Sequence, residues 1–332
     1  MYQARRPASS EFAPVRTLKY HVLRWGEPRS VLPPLVLMHG WMDVAASYQF
    51  VVDALSPDFL QGRSIIAADW RGFGLTGLAT AGPPHGGEGP LGGQRGHDVP
   101  SVGATYTGHD NYWFPDYLAD LDVLLDRYAG EQPVDLIGHS MGGNVVMLYA
   151  GVRPQRIRRL VNLEGFGMPA TRPEKAPKRY AQWLDELKSL HRGELALKSY
   201  ADADGVARRL MKTNPRLPED KAQWLARHWA RPNAQGQWEI LGDPAHKVVN
   251  AQLYRVEEVL ACFAQISAPV LSVEASDNQM DQWWQGKYTL AEFHERLKSV
   301  PNLQQAVIQD AGHMLHHDQP ERLAALIEDF LA

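Results

Sequence analysis

The chain has 332 residues, 44% of them hydrophobic, which is enough to bury a large core as one domain or as a core with an insertion. Its 34 basic and 38 acidic residues give a formal net charge of -4, a balance that argues against a nucleic-acid partner. No apolar run reaches the roughly 18 residues of a membrane span, and the N-terminal stretch lacks the apolar segment of a secretory signal. A single cysteine, Cys262, allows no intrachain disulfide, so we expect a cytoplasmic protein without a membrane partner.

Short apolar runs recur along the chain, and several of them end in glycine. A first strand is predicted over 16–26, where β-branched, aromatic and polar residues alternate. Further strands are predicted at 33–40, 63–74, 133–143, 158–167, 268–276 and 303–313. Continuous apolar runs of this length are typical of strands buried on both faces of a parallel sheet. Amphipathic helices, such as one predicted over 114–129 and another at the C-terminus, alternate with these strands and indicate an α/β fold.

Two segments interrupt this alternation. Residues 78–108 are rich in glycine and proline, which predicts a long flexible loop without a core of its own. Residues 168–265 contain several helix-like stretches and several tryptophans, which predict a helical insertion between two strands. We therefore predict a core formed by residues 1–167 and 266–332, with residues 168–265 as a helical cap.

The strongest chemical signal is Gly138-His139-Ser140-Met141-Gly142, between an apolar run and a helix-like stretch. A tight strand-to-helix turn with serine at its tip needs small residues two positions before and after it, because larger ones would clash with neighbouring backbone. The serine hydroxyl then projects at the carboxyl end of the sheet, near a helix N-terminus that favours negative charge. We predict Ser140 to be a nucleophile.

A second turn, His39-Gly40-Trp41, ends an earlier predicted strand. Glycine permits a backbone turn that aims the next N–H into the site. The N–H groups of Trp41 and Met141 are therefore predicted to form an oxyanion hole. His39, Gly40 and His139 belong to these two turns and are candidates for lining the substrate pocket.

A histidine after the last predicted strand is the candidate base. His313 follows an apolar run and precedes the C-terminal helix, a rigid position from which it can face the serine. His316 and His317 lie close by, and the spacing of His313 and His317 would allow them to share a helical face, which raises a metal site as the alternative. No H-E-x-x-H pattern or acidic third ligand accompanies them. We therefore interpret His313 as the general base and predict no metal site.

Taken together, these motifs resemble the α/β-hydrolase superfamily, and more narrowly its serine hydrolases with a helical cap. The matching pieces are LVLMHGW (35–41), DWRGFG (69–74), GHSMGG (138–143), PVLSVEASD (269–277) and AGHMLHHDQPE (311–321). The resemblance implies an eight-stranded, mostly parallel sheet, a catalytic triad in the order serine, acid, histidine, and no cofactor. The family's Asp-x-Arg-Gly-x-Gly motif matches Asp69, Arg71, Gly72 and Gly74, which we interpret as bracing a loop and not as catalytic.

The acid of the triad has two candidates. A histidine base needs a carboxylate to hold its tautomer and to stabilise the imidazolium. In the commoner family pattern the acid closes a Gly-x-x-Asp turn, but here that stretch reads Ala275-Ser276-Asp277-Asn278, with asparagine at the acid position. Some capped members, the haloalkane dehalogenases among them, take their acid from the preceding strand end, where this chain has Glu164. We favour Glu164 and keep Asp277 as the alternative.

The resemblance implies a hydrolase of carboxylic esters or related acyl compounds that works through an acyl-enzyme. A serine where the dehalogenases use aspartate argues against dehalogenation and epoxide opening. The tryptophans of the predicted cap suggest a small, mostly apolar substrate, although they equally suit the cap's own core. Two alternatives stay open: hydrolysis of a carbon–carbon bond next to a ketone, and binding of a small molecule without turnover.

Overall fold

The computed structural model describes residues 2–26, 32–77 and 109–332. The predicted loop at 78–108 lies outside these ranges and stays a prediction. The strands are β1 (Ser9–Val15), β2 (Leu18–Gly26), β3 (Leu35–Met38), β4 (Ser64–Ala68), β5 (Val134–His139), β6 (Ile157–Leu163), β7 (Ser199–Tyr200), β8 (Ala230–Pro232), β9 (Trp238–Ile240), β10 (Val270–Ala275) and β11 (Leu303–Ile308). The helices are α1 (Gln49–Ala54), α2 (Pro57–Leu60), α3 (Phe114–Ala129), α4 (Met141–Val152), α5 (Ala176–His191), α6 (Ala203–Thr213), α7 (Glu219–Trp229), α8 (Val256–Phe263), α9 (Met280–Trp284), α10 (Leu290–Leu297), α11 (Leu315–Asp318) and α12 (Pro320–Leu331). None of the helices in the described ranges has both the length and the apolar character needed to span a bilayer.

Eight strands of the described residues form one sheet in the order β1-β2-β4-β3-β5-β6-β10-β11. β2 pairs antiparallel with β1 and with β4, whereas the remaining neighbours are parallel. The predicted α/β fold with an eight-stranded, mostly parallel sheet is therefore confirmed. β1 is absent from the predicted strands. It carries Pro14 and forms an edge of the sheet, where a proline without an N–H is tolerated.

The central strands are buried on both faces, which explains their uninterrupted apolar runs. In β3, Leu35 and Leu37 join the hydrophobic cluster on one face, whereas Val36 and Met38 join the cluster on the other. Because side chains alternate along a strand, a strand covered by helices on both sides needs an apolar residue at every position. Residues of α1 and α12 complete the first cluster, and residues of α3, α4 and α8 complete the second.

The segment between β6 and β10 contains the helices α5, α6, α7 and α8. Leu210 of α6 and Leu225 of α7 belong to the cluster that contains α1. α8 packs instead on α4, so closely that a Cβ on Gly151 would lie 2.1 Å from the carbonyl oxygen of Cys262. A small sheet in the order β7-β9-β8 is absent from the predicted elements, because strands of two or three residues are too short to show a periodicity.

His246 of this segment is stacked between two aromatic rings. Its ring centroid lies 3.7 Å from that of Phe73 and 3.8 Å from that of Tyr112. Burial lowers the pKa of His246 to about 3, whereas a histidine in an unfolded chain has a pKa of roughly 6.5. Between these two values the unfolded chain binds a proton that the folded chain does not. Stability is therefore lost as the pH falls below about 6.5.

We expect acidification from pH 7 to pH 5 to lower the free energy of unfolding by about 2 kcal/mol through His246. Denaturant unfolding at several pH values measures the loss. The variant His246→Phe keeps an aromatic ring between Phe73 and Tyr112 but cannot bind the proton, so it should show a shallower dependence on pH. Equal pH dependences in wild type and variant would show that His246 does not contribute.

Candidate active site

Ser140 lies at the tip of the turn between β5 and α4. Its backbone has φ 52° and ψ −115°, a strained conformation for a residue with a side chain. Its N–H donates to the carbonyl of Leu163 at 2.8 Å, which holds the turn against the end of β6. A Cβ on Gly138 would lie 2.4 Å from the carbonyl oxygen of Gly142, and a Cβ on Gly142 would lie 2.3 Å from that of Met38. These contacts are the steric reason for the two glycines around the serine.

Three side chains from different parts of the chain meet at this turn. His313 Nε2 lies 2.9 Å from Ser140 Oγ, and His313 Nδ1 lies 3.1 Å from Glu164 Oε2. Because Glu164 follows β6 and His313 follows β11, the carboxyl ends of parallel strands bring the three groups to one edge of the sheet. The ring of Trp283 packs edge-on against His313, with 4.5 Å between centroids. No sequence motif predicts this last contact.

Glu164 is fixed by the ends of two strands. The residue is only 2% exposed, and its backbone has a φ of 55°. Its N–H donates to the carbonyl of Val273 at 3.0 Å, and its Oε1 accepts from the N–H of Ala275 at 2.6 Å. Burial raises the pKa of Glu164 above its ordinary value, and the hydrogen bond with His313 opposes this rise. One carboxylate oxygen is thus fixed by β10, and the other contacts the His313 ring.

The side chain of the alternative acid, Asp277, pairs with an arginine and not with His313. Its side chain is 54% exposed and forms an ion pair with Arg216 of the helical segment. Its N–H donates to the carbonyl of Ala311 at 3.0 Å. Of the two candidate acids, both within the described residues, Glu164 contacts the His313 ring and Asp277 does not.

Comparison with known proteins agrees with this arrangement of strands. A family profile described as alpha/beta hydrolase fold matches residues 33–320. The chain belongs to this family. It is 23% identical to a serine hydrolase-like protein of Danio rerio, covering 98% of this chain and 89% of that protein. Serine hydrolase-like protein 2 of Homo sapiens is 20% identical, with coverages of 92% and 88%. The solved thioesterase domain from the curacin biosynthetic pathway superposes with a TM-score of 0.73 at 21% identity, covering 96% of this chain and 99% of that one, a likeness that concerns the fold.

In this α/β hydrolase, the two predicted oxyanion donors belong to the turn after β3 and to the start of α4. A Cβ on Gly40 would lie 3.1 Å from Ser140 Cβ, so the backbone that leads into Trp41 runs close beside the serine. Met141 is the first residue of α4. The first N–H groups of a helix have no partner within the helix and carry partial positive charge. The N–H groups of Trp41 and Met141 stay predicted oxyanion donors.

The two histidines predicted to line the pocket lie in different environments. His39 is fully buried, with its Nδ1 donating to the Gly40 carbonyl at 2.7 Å and its Nε2 accepting from the Trp70 N–H at 2.8 Å. Burial lowers the pKa of His39, in agreement with a neutral ring. The expectation that His39 lines the pocket is therefore wrong. Its ring nitrogens bond to the backbone of Gly40 and Trp70, and it is not among the residues that line the cavity. Gly40 and His139 line the cavity beside Ser140, and His139 Nε2 donates to the carbonyl of His313 at 2.7 Å.

A cavity of about 420 Å³ lies beside Ser140 and His313. Its wall on the side of the helical segment is apolar and includes Leu210, Leu217, Leu225, Trp229 and Ile240. Three exposed basic residues, Lys198, Arg209 and Lys247, also line it. The volume lies within the range of small-molecule sites. The cavity therefore suits a mainly apolar group next to the serine, with positive charge on its solvent side.

Proposed function

We propose that this α/β hydrolase cleaves a carboxylic ester or a related acyl compound, with Ser140 as nucleophile, His313 as general base and Glu164 as the acid of the triad. The observation that carries the proposal is the chain of contacts from Ser140 Oγ through the His313 ring to Glu164, at 2.9 and 3.1 Å. Membership of the family and the serine hydrolase-like relatives support hydrolysis as the class of reaction.

In the first half of the reaction, His313 Nε2 accepts the proton of Ser140 as its Oγ attacks the acyl carbonyl carbon. The N–H groups of Trp41 and Met141 stabilise the negative charge that develops on the carbonyl oxygen. The protonated His313 then donates its proton to the leaving alcohol, and the acyl group stays on Ser140. Glu164 accepts from His313 Nδ1–H and so fixes the tautomer that leaves Nε2 free to accept.

In the second half, His313 accepts a proton from a water molecule as the water oxygen attacks the acyl carbon. The bond to Ser140 Oγ breaks, the serine recovers its proton from His313, and the carboxylic acid leaves. The same histidine thus serves both halves, first toward the alcohol and then toward the serine.

A series of p-nitrophenyl esters with unbranched acyl chains of increasing length tests this function. We expect turnover, with kcat/KM rising by up to about fourfold for each CH₂ group buried against the apolar wall, until the cavity is full. A matched ester whose acyl chain ends in a carboxylate tests whether the basic residues at the cavity contribute. Failure on every ester, together with cleavage of a ring-cleavage dienoate, would contradict ester hydrolysis in favour of carbon–carbon bond hydrolysis. Binding of these compounds without any turnover would contradict both reactions.

A further inference from the structure

A second group of buried polar side chains lies next to the serine turn, outside the chain of contacts from Ser140 to Glu164. Asp43, His139 and His316 each offer one ligand atom, and these atoms all lie within 4.8 Å of one another. The three residues are 4%, 1% and 0% exposed. They come from separate parts of the chain: the loop after β3, the end of β5 and helix α11. The fold therefore assembles a compact, buried group of one carboxylate and two imidazoles.

The hydrogen-bonding capacity of this group is only partly used. Asp43 Oδ1 accepts from the N–H of Val44 at 2.8 Å and from the indole of Trp229 at 3.1 Å. Among the described residues, Asp43 Oδ2, His139 Nδ1 and both ring nitrogens of His316 have no hydrogen-bond partner. An unpartnered buried polar atom destabilises the fold, because it loses its hydrogen bonds to water without replacing them. Several of them in one place mark a site that can accept a polar ligand.

The unused atoms can act as lone-pair donors to a cation. His139 Nε2 carries the ring proton, because it donates to the carbonyl oxygen of His313 at 2.7 Å. In the neutral ring, His139 Nδ1 therefore holds a lone pair. The ring centroids of His139 and His316 are 4.3 Å apart, so the second imidazole lies against the first. A carboxylate oxygen and imidazole nitrogens form a ligand set suited to zinc and related transition metal ions.

The distance between His316 and Asp43 is too long for a direct hydrogen bond but is compatible with both residues binding one metal ion. His316 Nε2 and Asp43 Oδ2 are 3.8 Å apart, which is too far for a hydrogen bond. Bonds of about 2.0–2.1 Å to a tetrahedral zinc ion place neighbouring ligand atoms roughly 3.4 Å apart, so a small side-chain movement would satisfy both. We propose that Asp43, His139 and His316 bind one divalent transition metal ion of the zinc class. Because Asp43 and His139 also line the cavity, the ion enters from there.

The site is connected to the reacting histidine through His139. The same His139 ring that offers Nδ1 to the ion supports the carbonyl of His313 through Nε2–H at 2.7 Å. Metal-bound histidines commonly donate their other ring N–H to a backbone carbonyl, and His139 Nε2–H already makes such a contact with His313. The site goes beyond the proposed ester hydrolysis, which needs no metal.

Titration of the chelator-treated full-length protein tests the site without any substrate, so its outcome does not depend on the ester proposal. Calorimetry with Zn²⁺ should give one ion per chain, and Co²⁺ should give the visible absorption of a four-coordinate site. His316→Gln and Asp43→Asn should each weaken binding by at least roughly 100-fold, because loss of a ligand exceeds the 10–100-fold effect of losing a second-shell partner. Asp43→Asn keeps an oxygen for Val44 and Trp229, and circular dichroism checks that both variants fold.

Two matched controls separate this site from its neighbours. His317→Gln alters the adjacent buried histidine, which is not one of the three ligands, and should bind zinc as the wild type does. His313→Gln should also retain binding, because the reacting histidine is not a ligand. No binding by the wild type, or undiminished binding by His316→Gln, would overturn the proposal. So would loss of binding in His313→Gln, which would place the ion on the reacting histidine instead.

Discussion

Replacing Ser140 with alanine is expected to lower kcat on the best ester by roughly 10⁴- to 10⁶-fold, the range found when a triad nucleophile is removed. Alanine keeps the Cβ, so the strained turn and its glycine contacts are preserved, whereas the oxygen that bonds to the acyl carbon is lost. The His313 ring is then left without the proton that it accepts at 2.9 Å. Initial rates of p-nitrophenolate release by both proteins measure the effect.

The matched control for this variant is Ser276→Ala. Ser276 lies in the loop after β10, and its hydroxyl is 3.4 Å from Asp277 and outside the contacts of His313. The Ser276→Ala variant should retain activity within about twofold of wild type, as expected when a surface hydroxyl is removed. A Ser140→Ala variant that folds and keeps more than a tenth of the wild-type rate would show that another group attacks the substrate.

The second large effect is expected at Glu164. Glu164→Gln should lower kcat by about 10⁴-fold, as loss of the triad carboxylate does elsewhere, because an amide cannot hold the His313 tautomer or stabilise its protonated form. Asp277→Asn should change kcat by less than about threefold, because Asp277 is half exposed and pairs with Arg216. Rates of both variants on one ester, with thermal unfolding as a check of folding, make the comparison.

The unfolding temperature of the Glu164→Gln variant gives a second readout, because Glu164 is buried. Because burial raises the pKa of Glu164, its charge is held at an energetic cost, and the neutral glutamine should leave the unfolding temperature unchanged or higher. A loss of activity without a loss of stability assigns Glu164 a role in the reaction. The reverse result, a large loss of activity in Asp277→Asn and a small one in Glu164→Gln, would make Asp277 the acid.

Most of the sheet and the centre of the site follow from local sequence. Strand β3 is apolar throughout because it is buried on both faces, and its continuous apolar run is visible without knowledge of the partner strands. The Gly138 to Gly142 turn is predictable for a similar reason: its steric demand lies within five successive positions. The sites of Ser140 and His313 could be predicted because each comes after a strand that the sequence shows clearly.

The identity of the triad acid and the assembly of the buried group near the serine could not be predicted from local sequence. Asp277 stands one residue from the family position, and its orientation depends on Arg216, which lies 61 residues away in the helical segment. The pairing of His313 with His317 on one helical face is not formed, since α11 begins at Leu315. His316 instead meets Asp43 and His139, and only the sheet topology brings these distant residues together.

The most direct test of the account is covalent labelling with a p-nitrophenyl phosphonate ester. Attack by Ser140 Oγ on phosphorus forms a stable serine–phosphorus bond and expels p-nitrophenolate, which imitates the first half of the proposed reaction. We predict one equivalent of p-nitrophenolate per chain and a phosphonyl group that peptide mass mapping places on Ser140, with no label in Ser140→Ala. A label on another residue, or continued release of p-nitrophenolate without a label on Ser140, would contradict the assignment of Ser140 as the nucleophile.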